Sequence, residues 1–73
     1  MSSDKLILMA NQIAAFYATQ SGIDQADAVA RHLKSFWEPR MLRQFHEATV
    51  AGAEGIHPLV LQAASLLKAR EAA

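Results

Sequence analysis

The chain has 73 residues, no cysteine, and 52% apolar residues that include one Trp, one Tyr and three Phe. A domain of this size buries only about 60% of the surface its unfolded form exposes, so its core is thin and help from a partner is expected. Seven Lys and Arg balance seven Asp and Glu, which excludes a global field drawing the chain to nucleic acid or an anionic membrane; the missing thiols exclude disulfides, thiolate metal sites and a cysteine nucleophile.

The first helical pattern runs from about Asp4 to Gln20, with Ser2 or Ser3 placed to accept from the first free amides and Asp4 set favourably against the helix dipole. Leu6, Met9, Ile13 and Phe16 recur at steps of three and four. A second seam, Ile7, Ala10, Ala14 and Tyr17, lies beside it, making the apolar stripe wider than a single core contact requires. Gly22 is expected to close this helix. The opening stretch has no small-residue cleavage site and no apolar run near the roughly 20 residues a bilayer demands, so neither export signal nor membrane span is expected.

Asp24 reads as the N-cap of a second helix, about 25–37, facing inward with Ala26, Val29, Ala30, Leu33 and either Phe36 or Trp37, and outward with Arg31 and Lys34. Glu38 precedes a proline and is pushed out of the α region, so the helix breaks there. Pro39 suits a first helical position. It starts a third helix, about 39–51, with Met41, Leu42, Phe45, Ala48 and Thr49 inward; one helix kinked at Pro39 is the alternative. Gly52 and Gly55 mark the next break, and Pro58 opens a fourth helix, about 58–70, capped at His57 and apolar at Val60, Ala63, Ala64, Leu66 and Leu67 before a tail that frays. No segment alternates as a strand does. The reading is one all-α domain, a small bundle of three to four short helices.

Catalysis would require a nucleophile with a base, convergent carboxylates, or a metal set. His32, His46 and His57 show no spacing that puts two imidazoles on one turn, and they read as ordinary surface histidines. The glycines form no phosphate loop, because the Lys and hydroxyl residue of that motif do not follow. Arg31, Lys34, Arg40 and Arg43 gather four of the seven cations in a short span opposed only by Glu38. Exposed charge of this kind is commonly just a solvated face. Arg40 differs, since a guanidinium held beside a fixed proline and near Trp37 can fork onto a carboxylate or stack on a ring. Trp37 itself divides between core residue and interface anchor. A DNA-gripping helix-turn-helix is a weaker reading, because the patch lacks a phosphate-contacting stripe.

"KLILMANQIAAFY", "VARHLKSFWEPRM" and "GIHPLVLQAASLL" together resemble the delta subunit of the bacterial NAD-dependent, molybdenum-containing formate dehydrogenases, over roughly residues 5 to 67. The most specific elements are Met9 to Ile13, His32-Leu33, Phe36-Trp37 and Pro39 to Met41. The resemblance implies a cytoplasmic, non-catalytic accessory subunit that serves assembly or stability through contacts with the large catalytic subunit of a complex oxidising formate and reducing NAD. It also implies that bis-molybdopterin guanine dinucleotide, iron-sulfur clusters and FMN sit on other subunits, with no cofactor or metal in this chain. The candidate contact residues are Asn11, Gln12, His32, Trp37, Pro39, Arg40, Met41 and Arg43. The corner at Pro39 is expected to display Trp37, Arg40 and Met41, and Asn11 and Gln12 to face solvent or a partner's backbone. No contact with nucleic acid or membrane is expected. The rival readings are a small nucleic-acid-binding helical module and a homodimer of the isolated chain formed through the wide seam of the first helix.

Overall fold

Serine at the N-terminus starts the first helix: Ser2 Oγ accepts from the Lys5 amide at 3.3 Å, and α1 runs Ser3–Tyr17 in a computed structural model that describes residues 2–72. The helix stops earlier than its apolar pattern suggests. Ala18 caps it in a right-handed conformation, and the Thr19 and Gln20 amides tighten the last turn by donating to the Phe16 and Tyr17 carbonyls at 3.1 and 3.0 Å. The Gln25 side chain ties down the connection by donating to Gln20 O at 2.8 Å. Gly22, expected to close the helix, lies further on and reverses the chain with φ +80°.

Asp24 caps α2 (Gln25–Phe36) as expected, its Oδ1 accepting from the Asp27 amide at 3.0 Å. Trp37 (φ −96°, ψ 137°) and Glu38 (φ −67°, ψ 155°) are both extended, so Pro39 separates two helices and does not kink one. No side chain caps α3 (Pro39–Val50), whose first residue has no amide hydrogen to satisfy. Its other end is a Schellman closure. Ala53 N donates to Ala48 O and Gly52 N to Thr49 O, each at 3.2 Å, with Gly52 at φ +78° in the left-handed region. His57 Nδ1 accepts from the Leu59 amide at 3.0 Å to open α4 (Pro58–Ala72), which runs past the expected frayed end.

These four helices are the only regular elements among the described residues, and they pack as a small all-α bundle. The most extensive contact joins α2 to α4, with α1 laid against α2 and α3. The shared core is Leu6, Ala10, Ala14, Val29, Ala30, Leu33, Trp37, Leu42, Phe45, Val60, Ala63, Ala64 and Leu67, joined by Ile7 and Ala48. Alanine at so many of these positions lets the helices approach closely but adds little transferable area. The larger side chains are therefore decisive: Phe45 is the bulkiest fully buried residue, and Trp37 meets it edge to face with ring centroids 5.6 Å apart.

Candidate functional site

Asn11 and Gln12 are neighbours on α1 with different tasks. Asn11 spends its amide within the chain, Nδ2 donating to Gly55 O at 2.7 Å and Oδ1 accepting from the His57 amide at 2.9 Å. It pins the loop before α4 to α1, and neither expected alternative, solvent or a partner's backbone, describes it. Gln12 is exposed and borders a shallow hollow of about 390 Å³ with Met9, Ile13, Phe16, Tyr17 and His32.

Rings assemble on this side. Phe16 meets Tyr17 edge to face at 5.2 Å, Tyr17 meets His32 at 6.1 Å, and His32 lies 4.7 Å from Phe36, one helical turn further along α2. The ladder crosses from the end of α1 to the end of α2 with its two outer rungs in water, Phe16 60% and Phe36 73% exposed, and Tyr17 and His32 half-buried between them. Phe16, expected on the inward seam, thus points outward, because α1 presents the Ala10 and Ala14 line to the bundle and leaves Met9 and Ile13 half-buried at its edge.

The α2–α3 corner corrects a second expectation. It does not display Trp37, which is only 7% exposed; it displays Phe36. The last helical residue keeps the outward direction of His32, while the extended backbone at Trp37 turns the next side chain under α3 and onto Phe45. Pro39, Arg40 and Arg43 are exposed, and Met41 packs half-buried against the core. Arg40 makes no ion pair or ring contact among the described residues, whereas Arg31 stands 3.9 Å from Asp27, which also receives Arg70.

The histidines divide as well. His57 is a cap and His32 a rung of the ladder, but His46 is no surface residue: its side chain is 12% exposed, and both ring nitrogens are buried without a hydrogen-bond partner. Among the described residues no three His, Asp or Glu side chains group as metal ligands, and no helix is long and apolar enough to cross a membrane. What the ladder offers chemically is recognition: rigid apolar area that the chain's own core leaves unused at Phe16 and Phe36, with the cation of Arg40 close by in sequence.

The sequence model of the NADH-dependent formate dehydrogenase delta subunit family, FdsD, matches residues 5–64. The chain belongs to this family. No curated protein and no solved structure matches it. The span shared with the delta subunits takes in α1, α2, α3 and the start of α4, and so includes the ring ladder, the Pro39 corner and the Asn11 clasp. Of the residues singled out from the sequence, Gln12 and His32 line the hollow beside the ladder, while Pro39 lines the groove between α3 and α4. Sequence reasoning missed Phe16 and Phe36 as surface residues, although the overly wide stripe of α1 was the available signal.

Proposed function

We propose that this delta subunit is a non-catalytic accessory component of its formate dehydrogenase complex, acting in assembly or stability by docking on the large catalytic subunit through the aromatic face of α1 and α2 and the adjoining corner. The observation that carries this is the placement of Phe16 and Phe36, two of the three phenylalanines, in water. Burying such a side chain stabilises by about 1.5–3 kcal/mol. A bundle with a thin alanine-rich core leaves that stabilisation unused within itself, and a contact between subunits recovers it. Gln12 borders the apolar centre as a polar rim does, and on this reading Arg40, exposed four residues after Phe36, adds a cation to that rim, able to choose register and exclude wrong partners.

The redox chemistry belongs, on this reading, to other subunits: bis-molybdopterin guanine dinucleotide, iron-sulfur clusters and FMN are held there, and this chain brings no thiolate that a cluster would need. The complex is cytoplasmic. Trp37 contributes indirectly, by holding α2 against α3 so that Phe36 and Arg40 keep their relative positions.

The test is co-purification of a tagged subunit from its host, comparing the native chain with the double variant Phe16→Ser/Phe36→Ser. The native chain is expected to bring down the large subunit and the variant to lose it while keeping its helical spectrum. Unchanged co-purification by a folded variant places the contact elsewhere. Sedimentation of the isolated chain separates the rival: a dimer abolished by the same substitutions assigns the ladder to self-association.

A further inference from the structure

Charge is sorted by side in this neutral chain. Two hollows run along α4, one of about 220 Å³ against α2 and one of about 660 Å³ against α3, and they share Lys34 and Glu71. Together they are lined by Arg31, Lys34, Arg43, Lys68 and Arg70, five of the seven cations, but by only Glu47 and Glu71 among the acids. The hollow beside the start of α1 has the opposite character, with Asp4 and Glu54 and no cation.

Within the basic side the cations are not equivalent. Arg31 and Arg70 already share Asp27. Lys34, Arg43 and Lys68, on the larger groove, have no anionic partner among the described residues. The same groove has an apolar component in Pro39, Leu42 and Val50, the last 70% exposed. His46 stands in its wall with both ring nitrogens unpartnered. Glu71, whose Oε1 is 3.8 Å from His46 Nε2 and so beyond hydrogen-bond distance, lines the same groove without pairing with its lysines. A carboxylate of the chain itself therefore already lies among these cations.

We infer that the α3–α4 groove is a second docking surface, built for an acidic, partly apolar segment of a protein partner. Carboxylates of that segment meet Lys34, Arg43 and Lys68, its apolar side chains cover Val50 and Pro39, and Glu71 is the intramolecular competitor it displaces. Nucleic acid fits less well, because a phosphate backbone has no use for the apolar component of the groove. The inference stands on charge and shape alone and does not depend on the aromatic face.

The full chain, labelled with ¹⁵N, is titrated with a synthetic amphipathic peptide carrying Glu and Leu at helical spacing, and with the same peptide bearing Gln for Glu. Amide shifts are expected at Lys34, Leu42 to Ala51 and Lys68, weaker for the Gln peptide and weaker as salt rises. Lys34→Gln/Arg43→Gln/Lys68→Gln, which preserves side-chain bulk, is expected to weaken binding at least tenfold without lowering the melting temperature. The charge-reversed triple variant is expected to abolish it. Glu71→Ala is the discriminating arm: removal of the competitor is expected to tighten binding about two- to fivefold, the range of an exposed ion pair. The inference fails if the peptide causes no shifts, if the shifts fall on α1 and the ladder, or if the Gln peptide binds equally. It fails too if duplex DNA binds the groove more tightly than the peptide, or if the native chain forms a dimer that the triple variant abolishes.

Discussion

Trp37 and Phe45 on one side of the α2–α3 corner, and Phe16 and Phe36 on the other, are the same kind of side chain in opposite service. The first pair is buried edge to face and holds α2 to α3; the second is left in water at the two ends of the ring ladder. Phe36 and Trp37 are consecutive, and one residue of extended backbone sends them to opposite sides. The difference teaches that aromatic content in a thin bundle is not a measure of its core. Part of it stabilises the fold, and part awaits a second surface.

The hardest test of that division is Phe45→Ala. Removing a fully buried ring costs about 3–5 kcal/mol, against a total stability of about 4–11 kcal/mol at roughly 0.05–0.15 kcal/mol per residue. Thermal melting of the isolated chain is expected to show a transition lowered by well over about 10 °C, or none. Retention of a native-like melt would mean that the inner pair is not the pillar described. Phe16→Ser/Phe36→Ser is the converse: the melt is expected to move by only a few degrees, while affinity for the large subunit falls by about 2 kcal/mol or more, roughly thirtyfold, as read by surface immobilisation or pull-down titration.

Asn11→Ala probes the clasp between α1 and the start of α4. It removes two hydrogen bonds, one of them to the half-buried His57 amide, and is expected to destabilise by about 1–2 kcal/mol. Hydrogen exchange should localise the loosening to residues 55–60. Exchange that accelerates uniformly, with no focus there, would argue against a local clasp. Arg40→Ala should have the smallest effect on folding, below about 0.5 kcal/mol, because an exposed charge without a partner contributes little. Any loss it causes should appear in binding to the large subunit. A melt lowered by many degrees with affinity unchanged would make Arg40 structural and remove it from the rim.

The candidate surface was only half legible in the sequence. Gln12 could be named because an amide in an otherwise apolar stretch stands out. Phe16 and Phe36 could not, since a Phe at helical spacing reads as core unless the packing partner is known. His46 was hidden for the converse reason: a polar residue on α3 reads as surface until α4 covers it, and that covering comes from a helix distant in sequence.

What the sequence determined by itself is where helices begin and break. Ser2, Asp24, Pro39 and Pro58 open them, and Gly52 closes one, because caps, missing amides and left-handed backbone are governed by a few adjacent residues. What only the tertiary structure decided is the rotation of each helix about its axis, and with it the roles of Phe16, Phe36, Trp37 and Asn11. A stripe wider than one contact is compatible with several rotations. The choice among them is made by where α2 and α4 meet and by the bonds from Asn11 to residues more than forty positions away, and short-range periodicity carries no information about partners at that separation.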